Sequence, residues 1–297
     1  MPGSGSTGGL SRRASRAFPL GVAAAIEIVL LLLPGAPSKA PGRVPTVAQS
    51  DGVWIAVYNG QEVQAVIHDL AGHLRAGDGI AVVMSANASG WAQDDHFAAL
   101  LHRAFPNVTL RAYLSLDGGT GRAGGLASTI GLLSPLFTQV SADWELHGPV
   151  EFDPSRPATM AYFHAFARIV QPTGRAAIGY PSGRGISGSY AGAPDRWDYG
   201  LFATALDGQT VETQGLCASG GWMHAVQKLW NQYNASGVPT STLSVQISLG
   251  PGGNGVSAAR AIGCAQSWRA LDHGNVFLWW EMSQLGSLET VLNALGR

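Results

Sequence analysis

Eight apolar, β-branched or aromatic runs alternating with helix-period stretches over residues 53–297 predict a (β/α)8 barrel. Composition agrees with that class. The 297 residues are 46% hydrophobic and only 12% charged, with formal net charge -1, as suits a neutral globule with a large core. The 40 glycines fit the many short loops that strand–helix alternation requires.

In chain order, residues 1–48 stand apart from the repeat. Arg12, Arg13 and Arg16 precede an apolar run from Phe18 to Leu33, and Pro34, Gly35, Pro37 and Pro41 follow it. That order is the order of an export signal. Ser11-Arg12-Arg13 loosely resembles a twin-arginine signal. The small residues Thr46 and Ala48 place cleavage after Ala48, whereas Pro41 hinders it after Ala40. An uncleaved membrane anchor is the alternative, although the run spans 16 residues, slightly short for a bilayer, and contains Glu27. Either way the expectation is a barrel over 49–297 that is secreted, periplasmic or membrane-anchored through its N-terminal segment.

The expected strands lie at 53–58, 79–85, 108–116, 138–145 and 175–180, then at 199–206 or 210–214, at 243–249 and at 275–280. Helical periodicity covers 61–75, 94–105, 157–170, 222–233, 257–271 and 285–295. The sixth unit is the weak one, because 183–195 shows no helix and the following strand has two candidate registers.

In such a barrel, function sits at the carboxyl ends of the strands. The fourth run ends in Asp143-Trp144-Glu145. Strand alternation points Asp143 and Glu145 one way and Trp144 the other. Two neighbouring acids that repel when both are ionised tend to leave one protonated near neutrality, which makes a general acid. The ends of the other runs add Tyr58, Asp117, Glu212, Gln214, Trp280 and Glu281 as candidate substrate-binding groups. Trp91, Trp144, Trp197, Trp222 and Trp279 offer further indoles, and a sugar ring's apolar face stacks on such surfaces.

Acids, amides and indoles on one rim suit a carbohydrate. No basic stripe suggests nucleic acid, and Gly250 to Gly255 lacks the lysine of a phosphate-binding turn. Two cysteines without a CxxC pair and singly scattered histidines give no metal-ligand spacing, so neither a metal nor another cofactor is expected. Whether Cys217 and Cys264 form a disulfide or stay separate thiols is open. Gly185-Ile186-Ser187-Gly188-Ser189 misses the last glycine of a nucleophile turn and reads as a loop. Simpler roles compete for several candidates: Asp117 as a turn former, Glu212 on a hairpin at Asp207-Gly208, Glu281 as a flank of the last helix, and the tryptophans as core.

These residues resemble glycoside hydrolase family 18, the chitinases and their relatives. The family's fourth strand ends in D-x-x-D-x-D-x-E, which Asp143-Trp144-Glu145 matches at its close. Leu114-Ser115-Leu116-Asp117-Gly118-Gly119 approaches its S-x-G-G motif with Asp117 as an extra residue. The stretch from Ala235 to Pro239 is similar to its entry into strand seven, and Asn275 to Trp280 to its Trp-bearing eighth strand. Departures are Thr138 and Ser141 where the family has aspartates, and Glu212 and Gln214 on strand six, where it has a tyrosine that holds the substrate's acetamido group.

The resemblance implies a divergent glycosidase that cleaves an extracellular or envelope polysaccharide, including one built on N-acetylhexosamine. Glu145 would protonate the glycosidic oxygen, and Asp143 would orient and stabilise the reacting centre. The substrate's acetamido oxygen would be the nucleophile, with Glu212, Asp117 or Glu281 as second carboxylate in a rival scheme. A catalytically inactive barrel that binds extracellular glycan is the alternative.

Overall fold

The computed structural model describes residues 52–58, 61–85, 88–114, 120–144, 156–183, 186, 197–250, 255–272, 274–280 and 284–297. Eight parallel strands close into a barrel in chain order. They are β1 (Val53–Tyr58), β2 (Gly79–Val83), β3 (Thr109–Leu114), β4 (Phe137–Trp144), β5 (Ala176–Pro181), β6 (Gly208–Val211), β7 (Leu243–Ser248) and β8 (Asn275–Trp279). The seam is closed by β1 pairing with β8. Around them, among the described residues, lie helices α1 (Val63–Leu70), α2 (Trp91–Ala104), α3 (Thr120–Thr129), α4 (Arg156–Val170), α5 (Tyr199–Ala203), α6 (Gln214–Ala218), α7 (Trp222–Ser236), α8 (Ala258–Asp272) and α9 (Leu285–Ala294). The fold is the expected (β/α)8 barrel. The expected export segment lies outside the described residues.

Two expectations are corrected. Residues 199–206 are not a strand: Asp198 Oδ1 accepts from the Leu201 amide at 2.9 Å and caps α5, whose Tyr199, Phe202 and Ala203 are buried. A short, largely buried helix carries an apolar run that periodicity alone does not separate from a strand. Asp207-Gly208 is not a hairpin turn, because the Asp207 carboxylate accepts from the Ala177 amide at 2.9 Å and starts β6 parallel to β5. Helix α3 went unanticipated, since Gly121, Gly124 and Gly125 weaken its local helical signal.

Alternation along the strands divides the core into two layers. Val53, Ile55, Val57, Leu110, Ala112, Val245 and Ile247 face the helices, while Trp54, Ala56, Ala81, Tyr113, Tyr180 and Phe277 pack inside the barrel. On β4 this division depends on a bulge. Leu110 pairs with Phe137 but Arg111 pairs with Gln139, which leaves Thr138 as an extra, exposed residue. Phe137 thereby joins the outer layer, and Gln139 and the odd-numbered residues after it turn inward.

Among the described residues, the lower barrel interior holds one cation, Arg111. Arg111 lies 3.8 Å over the Trp54 ring, its Nε donates to Gln139 Oε1 at 3.0 Å, and its Nη1 donates to Thr210 Oγ1 at 2.9 Å. Burial draws its pKa down to about 9, so it keeps its charge at neutral pH. Gly79 is required beside this pair, because a Cβ there would overlap the Trp54 indole.

The N-terminal face is tied by polar contacts. Asn275 Oδ1 accepts from the Gly52 amide at 2.9 Å, and its Nδ2 donates to the Ser241 carbonyl at 2.7 Å. Outside the barrel, Cys217 of α6 and Cys264 of α8 form a disulfide, with Cα atoms 6.1 Å apart. Closing a 47-residue separation is worth about 4 kcal/mol in the chain-entropy description.

Candidate active site

Three strand ends converge on Tyr113. Its hydroxyl, at the inner face of β3, donates to Asp143 Oδ2 on β4 at 2.9 Å. Its ring meets Tyr180 of β5 edge-on at 4.8 Å and Trp279 of β8 at 5.6 Å. Burial raises the Tyr113 pKa well above its usual value, and the charges of Asp143 and Glu212 push the same way. The phenol therefore keeps its proton at neutral pH and serves Asp143 only as a donor.

Asp143 is almost fully buried on the inner face, as strand alternation predicts once the bulge at Thr138 is counted. Behind it, the Tyr162 hydroxyl of α4 lies 3.5 Å from the Asp143 carbonyl. Glu212 follows β6 directly and is half-buried. Its amide donates to the Pro181 carbonyl at 3.1 Å, and it forms a parallel bridge with Ser182. Gly183 is needed here, because a Cβ would overlap the Glu212 carbonyl. Tyr180 donates to Gln246 Oε1 on β7, and Gln246 Nε2 donates to Ser248 Oγ at 3.3 Å. Thr213 Oγ1 donates to the Gln246 carbonyl at 2.9 Å and fixes the β6–β7 edge.

Tyr58 stands at the end of β1, edge-on to Trp279 at 5.3 Å, and so joins the aromatic contacts that run through Trp279 to Tyr113. Gln214 does not lie on strand six. It is the first residue of α6, and its Oε1 is buried with no hydrogen-bond partner among the described residues. Trp280 is also displaced from its expected role: it is fully buried in the layer between barrel and helices, because the two-residue period puts its neighbour Trp279 inside instead. Asp117, Glu145 and Glu281 lie outside the described residues, as does the side chain of Trp144.

Among the other tryptophans, Trp91, Trp197 and Trp222 are buried in the outer layer, the simpler of their two readings. Trp91 Nε1 donates to the Ser85 carbonyl at 3.0 Å, and Trp222 Nε1 donates to Ser267 Oγ at 2.8 Å. Sequence reasoning missed Tyr113 and Arg111. Their signal was the alternation in Leu110-Arg111-Ala112-Tyr113-Leu114, which puts both polar-tipped side chains on one face. Among the described residues, no three His, Cys, Asp or Glu side chains gather into a set that could hold a metal ion.

No family model matches the sequence, and no curated protein does. Solved structures do match. A family 18 chitinase from Pseudoalteromonas aurantia has TM-score 0.56 at 8% identity, over 81% of this chain and 99% of its own. The chitinase-like agglutinin of Robinia pseudoacacia has TM-score 0.54 at 15% identity, over 82% and 99%. The spore cortex-lytic enzyme SleL of Bacillus megaterium has TM-score 0.54 at 9% identity, over 82% and 74%. The likeness is one of fold. At these identities the barrel is shared, and the chemistry has to be argued from this chain's own residues.

At the strand ends, the Asp143 carboxylate accepts from a protonated tyrosine that also feels the charge of Glu212, and Trp279 meets both that tyrosine and Tyr58 edge-on. Acids, a phenol and an indole together can hydrogen-bond hydroxyl groups and cover an apolar sugar face.

Proposed function

We propose that this chain is an exported glycoside hydrolase acting on an extracellular or envelope polysaccharide, including one that contains N-acetylhexosamine. The observation that carries the reading is Asp143, held by Tyr113 inside the barrel at the carboxyl end of β4. In this reading Glu145, two residues on, protonates the glycosidic oxygen, and Asp143 stabilises positive charge at the reacting carbon. Trp279 and Tyr58 supply the sugar platform, a task Trp280 cannot share from the outer layer. Glu212 is the second acid at the strand ends and either binds the sugar or activates water. The Cys217–Cys264 disulfide supports passage through an oxidising compartment, with residues 1–48 as the signal or anchor.

A glycan-binding barrel without turnover is the second reading. Ser141 favours it, since an acid of the family pattern is missing there, and one matched barrel is described as an agglutinin. Wild type and Glu145→Gln, compared on chitin oligomers, peptidoglycan and other envelope polysaccharides, separate the two. The hydrolase reading expects wild-type turnover that falls at least about a hundredfold in Glu145→Gln. Equal turnover in both proteins removes Glu145 from the mechanism, and tight binding with no turnover establishes the second reading.

A further inference from the structure

Asp143 lies where a family 18 barrel pairs it with an aspartate two residues earlier, and here that residue is Ser141. Ser141 has not taken over the contact: its hydroxyl is fully buried and has no hydrogen-bond partner among the described residues. A hydroxyl reaches the Asp143 carboxylate from the neighbouring strand β3. Tyr113 pairs with Ser141 across the β3–β4 ladder, and its hydroxyl passes that residue to donate to Asp143 Oδ2 at 2.9 Å. Tyr113 is 4% exposed and Asp143 6%, so water competes little for this bond. Tyr180 and Trp279 fix the phenol ring from two sides, with interplanar angles of 80° and 71°.

Resting on the glycoside hydrolase reading, we propose that Tyr113 replaces the absent aspartate as the positioning residue of Asp143, holding that carboxylate ionised and aimed at the reacting carbon. A hydrogen bond donated to a carboxylate favours its charged form. The replacement changes the proton inventory of the site. An aspartate partner shares and loses a proton within the working pH range, so the two acids titrate as a coupled pair. A buried phenol holds its proton throughout that range, and burial here strengthens its hold. Neither Tyr113 nor Ser141 therefore adds an ionisation to the acid limb of kcat/KM.

The test follows the Asp143 carboxyl carbon by NMR titration, assigned with Asp143→Asn, in wild type, in Tyr113→Phe and in protein carrying 3-fluorotyrosine at position 113. Tyr113→Phe removes one hydroxyl and keeps the ring contacts; the fluorinated ring keeps the hydroxyl as a stronger donor. The expected result is an ionisation constant about tenfold lower in Tyr113→Phe and higher in the fluorinated protein, since a hydrogen bond to a charged group is worth about one pH unit or more. The acid limb of kcat/KM moves with it. A purely packing role for Tyr113 would move neither. An unchanged Asp143 titration, or the same direction of change in both proteins, overturns the proposal. If the titration responds as expected but wild type cleaves no glycan, the hydrolase reading fails and the positioning role stands; turnover with an unresponsive titration fails the positioning role alone.

Discussion

Asp78→Ala removes a carboxylate that closes the N-terminal face of the barrel, far in sequence from the candidate acids. Asp78 is 1% exposed; Oδ1 accepts from the Val53 amide at 2.8 Å and Oδ2 from the Arg75 amide at 2.9 Å. The Arg297 guanidinium forms an ion pair with Oδ2 at 2.9 Å. Truncation removes this acceptor from all three donors at once. Breaking a buried ion pair costs about 3–5 kcal/mol, and the lower end applies because Arg297, at 13% exposure, regains some water. The Val53 amide at the start of β1 is fully buried and adds about 1–3 kcal/mol when left without an acceptor. The expected loss is about 4–6 kcal/mol. Asp78→Asn keeps one oxygen for Val53 and loses about half as much. Urea denaturation at unchanged slope reads these differences, and a 4 kcal/mol loss lowers Tm by roughly 8–16 °C in a domain of this size. A loss below about 1.5 kcal/mol for Asp78→Ala, or equal losses for the two variants, would refute the assignment of Asp78 as the closure of this face.

The two adjacent tryptophans of β8 are expected to respond in opposite ways. On the glycoside hydrolase reading, Trp279→Ala weakens the glycan affinity of folded protein by about tenfold, or ~1.4 kcal/mol, as read by titration calorimetry; Trp280→Ala lowers stability by about 3–5 kcal/mol and leaves the affinity of folded protein unchanged. An affinity loss confined to Trp280→Ala reverses the inner and outer assignment. Tyr233 of α7 buries a hydroxyl with no hydrogen-bond partner among the described residues, so Tyr233→Phe gains about 1 kcal/mol at pH 7. Burial raises the Tyr233 pKa well above its ordinary value, so above about pH 10 the unfolded chain releases a proton that the folded chain retains. Its contribution is fully present below that pH and is lost as pH rises further. The advantage of the phenylalanine variant should therefore widen between pH 8 and pH 11 in urea midpoints, and a constant gap contradicts this account.

Much of the barrel was legible because strand period, helix period and loop composition are local properties. The strand at 53–58 has the bounds of β1, and the helix at 222–233 differs from α7 only in its last turn. The failures share a cause. Residues 199–206 are mostly apolar and largely buried, Trp280 is fully buried, and burial alone does not say which element carries a residue or which face it joins. That choice comes from particular contacts: the local cap of Asp198 on α5 and, across the chain, Asp207 bonding to Ala177 and Trp279 meeting Tyr58 and Tyr113. In the candidate site, Asp143 was legible from its spacing, while its partner Tyr113 was not, because 30 residues separate them and the register of the β3–β4 ladder brings them together.

The direction of Asp143 rests on one residue of β4. Without an extra residue at Thr138, the pairing of Leu110 with Phe137 would continue as Arg111 with Thr138, and every side chain beyond would exchange faces. Val140 and Ala142 would then enter the polar interior, and Ser141 and Asp143 would meet the apolar backs of the helices. The observed register avoids both costs. It also gives Arg111 its acceptor at Gln139 and Tyr113 its acceptor at Asp143, the donors two residues apart on β3 and the acceptors four apart on β4. The same bulge thus sets the buried cation in the lower barrel interior and the acid at its mouth. Ser141 lies between them on that face, a small residue that leaves the Tyr113 hydroxyl a clear path to the carboxylate. A larger acid at 141 would contest that path. The serine and the tyrosine are therefore best read as one paired departure from the D-x-D-x-E pattern, coupled through Asp143.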